Sequence, residues 1–115
     1  MIKSFNFTKK DEMNSVSATP IQKVKGETLT VKGAAISEKV DKDTGETIKV
    51  GYLSTTTHGM LCTISGTALQ GIDLLIDFMT ECAADLPEGS VEQEQVKVHA
   101  EKANSGREFV TLEIL

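Results

Sequence analysis

Tryptophan is absent, tyrosine occurs once and phenylalanine four times, so ring-bearing side chains are few. That scarcity weighs against a function built on many stacking platforms. Cysteine is rarer still. Cys62 and Cys82 have nineteen residues between them and no C-x-x-C neighbour, which excludes a local redox pair or zinc knuckle. With no secretory signal before them, they read as reduced intracellular thiols. No run approaches the roughly eighteen apolar residues of a membrane span, so a soluble protein without a membrane partner is expected. There is no G-x-S-x-G, P-loop or H-E-x-x-H pattern, and the two histidines stand in no motif. A metal site from His58, Cys62, Cys82 and His99 would draw on four separate elements, whereas zinc ligands usually come as local pairs. Neither an enzyme nor a cofactor is expected.

What is present suits a single domain spanning 1–115, long enough to bury a core without staples. The net charge of −5 is unevenly spread. Residues 1–60 carry nine lysines against seven acids, and residues 61–115 carry three bases against ten acids. An acidic helix beside a lysine-bearing sheet face is compatible with that split.

Hydrophobic periodicity sets the elements. Ile2 to Thr8 alternates with Phe5 and Phe7 on one face, a first strand. Residues 9–26 are polar, punctuated by Pro20 and Gly26, and read as a loop. From Glu27 the inward residues are Leu29 and Val31, but Ile36 and Val40 beyond Gly33-Ala34-Ala35 are of the opposite parity. One extra residue does this, so a bulge is expected there. The Asp41–Gly45 cluster turns the chain into a second strand carrying Ile48, Val50 and Tyr52. His58-Gly59 offers another tight turn, followed by a short apolar segment, Met60 to Ile64.

Thr67-x-x-Gln70 has the form of a capping box before a helix over about 67–84. Ala68, Ile72, Leu75, Ile76 and Met79 form its apolar face, broadened by Leu74 and Phe78. Leu86-Pro87-Glu88-Gly89 stops it. Alternating residues 96–101 and 109–114 close the chain as a hairpin about Asn104-Ser105-Gly106. The expected register sets Val98 opposite Val110, His99 opposite Phe109 and Glu101 opposite Arg107. The order predicts a mostly β fold: a five-stranded, OB-fold-like Greek-key barrel with one helix between the third and fourth strands.

Three lysines, Lys32, Lys39 and Lys49, take the outward parity of their strands. Like charges repel on a sheet, so their grouping suits a visiting anion, although lysine also blunts exposed edges. Lys97, His99 and Phe109 are outward on the closing hairpin, where Phe109 serves either as a base-stacking ring or as a surface covered by the N-terminal segment or the 9–26 loop. Tyr52 shares parity with Ile48 and Val50, which places it in the core unless the strand twists at Gly51.

Several stretches resemble the small single-stranded-DNA-binding proteins that phages of Gram-positive bacteria encode for their own replication. Lys3-x-Phe5-x-x-Thr8 is similar to that family's opening strand, and Gly26-x-Thr28 leading into Ala35-Ile36 to its second. Residues 58–79 resemble its turn, short strand and helix, and residues 96–115 its closing hairpin. The resemblance implies an oligonucleotide-binding barrel, no cofactor, and protection of single strands during phage DNA replication in the cytoplasm of the bacterial host. DNA-binding residues would be Lys32, Lys39, Lys49, Tyr52, Lys97, His99 and Phe109. Further candidate partners are phage replication proteins and a second copy of the chain. The alternative is a non-enzymatic accessory barrel that binds a host or virion protein through its acidic helix.

Overall fold

The computed structural model describes residues 2–87 and 92–115; Glu88 and Gly89 of the expected helix stop lie outside them. Among the described residues, seven strands and two α-helices appear in place of the expected five and one. They are β1 (Lys3–Phe5), α1 (Lys9–Asn14), β2 (Thr19–Pro20), β3 (Thr28–Val40), β4 (Thr47–Thr55), β5 (Met60–Thr63), α2 (Gly66–Ala84), β6 (Glu94–Lys102) and β7 (Glu108–Ile114). The helix α2 therefore follows the fifth strand rather than the third, because β2 and β5 are strands in their own right.

The spine is β3. One edge pairs with β4; the other pairs with β6 at its start and with β1 near its middle, where Phe5 faces Ala34. The bulge falls where the change of parity places it. Register slips between Val31 and Gly33, so Leu29 and Val31 point inward before it and Ala34 and Ile36 after it. A Cβ on Gly33 would stand 2.4 Å from the Asn6 carbonyl oxygen, so glycine lets β1 end against the bulge.

The sheet, ordered β2-β5-β4-β3-β6-β7 with β1 added on β3, curls as a half-barrel around α2. Its inner residues Leu29, Val31, Leu53, Val96, Val98 and Val110 meet Ile72, Leu75, Ile76 and Met79 of the helix, all buried. Gly51 gives the helix room, since a Cβ there would lie 2.6 Å from Ile72 Cδ1. No helix among the described residues is long and apolar enough to cross a membrane.

Four local expectations are corrected. Residues 9–26 are not a loop: Thr8 and Asp11 form a reciprocal capping box that starts α1, and Ile21 and Val24 on a 3-10 turn enter the core. Phe5 and Phe7 do not share a face, because Asn6 at φ 47° ends β1 and reverses the alternation. The α2 capping box does not form. Ser65 precedes the helix, and the Thr67 hydroxyl donates instead to the Val110 carbonyl at 2.9 Å, tying α2 to β7. On the helix itself Leu74 and Phe78 are 67% and 38% exposed, so its covered arc is narrower than the apolar pattern suggests.

The closing hairpin also differs. Val98 faces Leu112, His99 faces Thr111, Ala100 faces Val110 and Glu101 faces Phe109. The even-numbered side chains still point inward, because a two-residue slip preserves parity. What sets the longer turn is the Ala103 N–H donating to Arg107 and the Gly106 N–H to Ala103, with Gly106 at φ 84°. Glu101 thus does not face Arg107.

Candidate nucleic-acid interface

The outer face of the sheet is the side turned away from α2. On β3 it carries Thr28, Thr30, the bulge at Lys32, then Ala35, Ser37 and Lys39. Registered pairs share a face in an antiparallel ladder. Tyr52 faces Ala35 and Cys62, Val50 faces Ser37, and Ile48 faces Lys39, so all of these lie on the outer side. On β6 and β7 the outer residues are Lys97, His99, Phe109, Thr111 and Glu113.

That register separates two expected partners. Lys39 faces Ile48, and Lys49 faces Glu38. Both lysines have odd numbers but the β3–β4 register is offset by one, so they project from opposite faces of the hairpin. Lys49 lines a separate groove of about 370 Å³ on the helix side, with Ile2, Lys3, Ile36, Leu69 and Asp73. It does not belong with the others.

Lys39 extends its ammonium over the Tyr52 ring, 5.7 Å from the centroid. Phe7 packs on the same ring at 6.0 Å and 32°. Tyr52 is only 3% exposed and cannot serve as an open stacking platform; it is the floor beneath Phe7 and Lys39. The accessible parts of this cluster are Lys39, exposed, and Phe7, half-buried, which the sequence pattern placed on one face with Phe5 and did not link to Tyr52. Two signals in the sequence point to it: Asn6, which tolerates positive φ, and the Thr8-x-x-Asp11 box immediately after. Burial raises the Cys62 thiol above its usual pKa, partly opposed by the positive charge of Lys39, which places that lysine over the same outer surface.

Lys32 occupies the bulge. Its carbonyl accepts from Asn6 Nδ2 at 3.0 Å, and the residue lines a polar groove of about 350 Å³ with Asn14, Ser54, His58 and Met60. Asp11 lies in the same groove, where it accepts from the Ser54 hydroxyl at 3.2 Å. His58 anchors the β4–β5 turn, joining Thr57 Oγ1 at 2.7 Å and Glu27 Oε1 at 3.2 Å.

Lys97 lies between Thr28 on β3 and Glu113 on β7. His99 Nε2 is bonded to Glu113 Oε1 at 2.8 Å, so that carboxylate already engages its ring. Phe109 is half-buried and diagonal to His99 rather than opposite it. It borders a different groove, about 660 Å³, with Gln22, Ile64, Ser65, Thr67 and Arg107. The predicted residues thus fall into an outer set (Lys32, Lys39, Tyr52), a neighbouring wing (Lys97, His99), a seam (Phe109) and the reverse face (Lys49).

Among the described residues, ion pairs engage Lys3, Lys9 and Lys25, but none engages Lys32, Lys39 or Lys97. Three uncommitted ammonium groups on one curved face, beside an aromatic pair, can neutralise phosphates and support a base. Comparison with protein-family models, curated proteins and solved structures finds no match to this chain.

Proposed function

We propose that the protein binds single-stranded DNA without sequence preference, as a non-enzymatic phage replication protein with an oligonucleotide-binding barrel. The fold supports this reading through strand order. Leaving aside β1 and β2, the strands run β5-β4-β3-β6-β7 with α2 between β5 and β6. That is the order of a five-stranded Greek-key barrel, a fold whose second and third strands bind oligonucleotides. The observation that carries the proposal is the cluster of Lys39 on β3, Tyr52 on β4 and Phe7, which packs over them on the outer side of the first two of these five strands. Phosphates follow Lys32, Lys39 and Lys97, and a base stacks on Phe7. The bound strand would be protected from pairing and cleavage while it is displaced.

Titration of a labelled oligothymidine across salt concentrations tests this. Three neutralised phosphates give a slope of log affinity against log salt of roughly −2. Lys39→Glu should weaken binding and flatten that slope, while Lys49→Glu, on the reverse face, should leave both nearly unchanged. Phe7→Leu keeps Tyr52 covered but removes the ring, and should cost about 1–3 kcal/mol of binding. Equal effects of Lys39→Glu and Lys49→Glu would refute the assigned face.

One observation favours a second reading. Leu74 and Phe78 lie one turn apart on α2, exposed beside Asp73 and Asp77. If oligothymidine does not bind at low salt, and a host or virion protein binds wild type but not Leu74→Ser/Phe78→Ser, the working surface is this helix.

A further inference from the structure

One free edge of the sheet is β7, the last strand in its order. The Leu115 N–H donates to the Gln95 carbonyl and the Ala103 N–H to that of Arg107, so the odd-numbered residues of β7 bond to β6. The backbone groups of Val110, Leu112 and Ile114 therefore point off the edge. Among the described residues the one partner they have is the Thr67 hydroxyl, on the Val110 carbonyl. The strand carries neither lysine nor proline, the residues that commonly blunt such an edge.

Helix α2 runs alongside. Thr67 bonds Val110, and a Cβ on Gly71 would stand 3.2 Å from Leu112 Cβ. Four residues of helix and two of strand both advance about 6–7 Å, so the two elements keep step. At 3.6 residues per turn, Leu74 and Phe78 continue the stripe of Thr67 and Gly71 towards Ile114. Leu74, Phe78, Ile114 and Leu115 are all exposed, an apolar projection at one end of the strip. At the other end, where α2 and β7 begin, is the groove of about 660 Å³ bordered by Ile64, Thr67, Arg107 and Phe109. Ile64 is 68% exposed there.

We propose that β7 pairs antiparallel with β7 of a second copy, about a two-fold axis through Leu112. The rotation carries the projecting end of each strip onto the groove of the other, so one surface supplies both halves of the contact. Leu115 then faces Phe109, Ile114 faces Val110 and Thr111 faces Glu113, while the antiparallel helices bring Phe78 of one copy beside Ile64 of the other. Neighbouring registers fit worse: an axis through Glu113 opposes that carboxylate to itself, and one through Thr111 sets Ile114 against Glu108. An axis between residues would oppose inward to outward side chains. The Val110 carbonyl has two lone pairs and can accept from both Thr67 and the added strand. Charge agrees as well. Arg107 in the groove and Glu81, one turn beyond Phe78, enter none of the ion pairs among the described residues. A foreign extended peptide would satisfy the backbone edge alone; a second copy also brings side chains that match both ends.

The contact does not rest on the DNA-binding reading, and full-length protein free of DNA tests it. Sedimentation equilibrium across micromolar concentrations should give twice the chain mass. Leu74→Ser/Phe78→Ser should raise the dissociation constant at least about tenfold. Ile114→Pro should do the same, because it deletes an N–H aimed off the edge and no bond to β6. The serine variant changes only exposed side chains, so it tests the contact even if the proline variant folds poorly. Lys49→Glu, away from this strip, should leave the dimer intact. Amide exchange at Leu112 and Ile114 should be slow in the dimer and quicken on dilution. A monomeric wild type would overturn the proposal and return Leu74 and Phe78 to the host- or virion-protein reading. Fast exchange at both amides in a dimer, undiminished dimerisation of the serine variant, or loss of the dimer in Lys49→Glu would overturn it too.

Discussion

Two glycines show how single positions control the sheet. At Gly33 an added methyl meets the Asn6 carbonyl oxygen at 2.4 Å, and that backbone cannot rotate aside. At Gly51 it meets the terminal methyls Ile72 Cδ1 at 2.6 Å and Leu69 Cδ2 at 2.9 Å, which can. Overpacking commonly costs about 1–3 kcal/mol. Gly33→Ala should therefore reach or exceed the top of that range and Gly51→Ala should stay near the bottom, as read from urea denaturation midpoints. Equal losses would mean that β1 gives way as easily as a rotamer. The sequence shows that Gly33 marks a bulge, since hydrophobic parity changes there. It does not show what lies opposite, because Asn6 is distant in the chain.

At the scale of elements, alternation and helical spacing locate β3, β4, β6, β7 and α2 within a few residues. They do so because each buries one face, and the buried residues recur with the period of the backbone. The short α1 escapes that signal: among its residues only Asp11 is buried, so no apolar stripe announces it. Asp11 instead accepts from the Thr8 N–H at 3.0 Å and the Ser54 hydroxyl at 3.2 Å. Asp11→Ala removes the reverse half of the capping box, the bond from the Thr8 N–H, and leaves the Ser54 hydroxyl unpartnered, which should cost about 1–3 kcal/mol. Amide exchange should quicken first across α1, while β3 and α2 keep their protection. The register of β6 on β7 was also only half legible. Parity restricts it to alternate slips, and turn hydrogen bonds select among them.

The whole molecule depends on α2 filling the curled sheet. Leu75 is 1% exposed in that contact, and Leu75→Ala should cost about 2–5 kcal/mol against a typical total of 5–15. Tyr52 is the one tyrosine in a chain without tryptophan, and it sits on the opposite side of the sheet from α2. Its fluorescence therefore reports the outer cover formed by Phe7 and Lys39, whereas far-ultraviolet dichroism reports the strands and helix. The two denaturant transitions should coincide in the wild type and move together in Leu75→Ala. A Tyr52 transition at lower denaturant would show that the outer cover opens independently of the core.

The chain's own pattern determined the mostly β class, the bulge at Gly33, the position of α2 and the even-numbered inward set of the closing hairpin, because each is written in local periodicity. Only tertiary structure decided which lysines share a face. Lys39 and Lys49 differ by an even number, yet they sit on different strands, and the offset between those strands is set by the turn joining them. The same holds for Phe7, turned onto Tyr52 by a backbone reversal at Asn6. Local pattern fixes which way a side chain points along its own element; relative placement of elements depends on contacts between residues far apart in the chain.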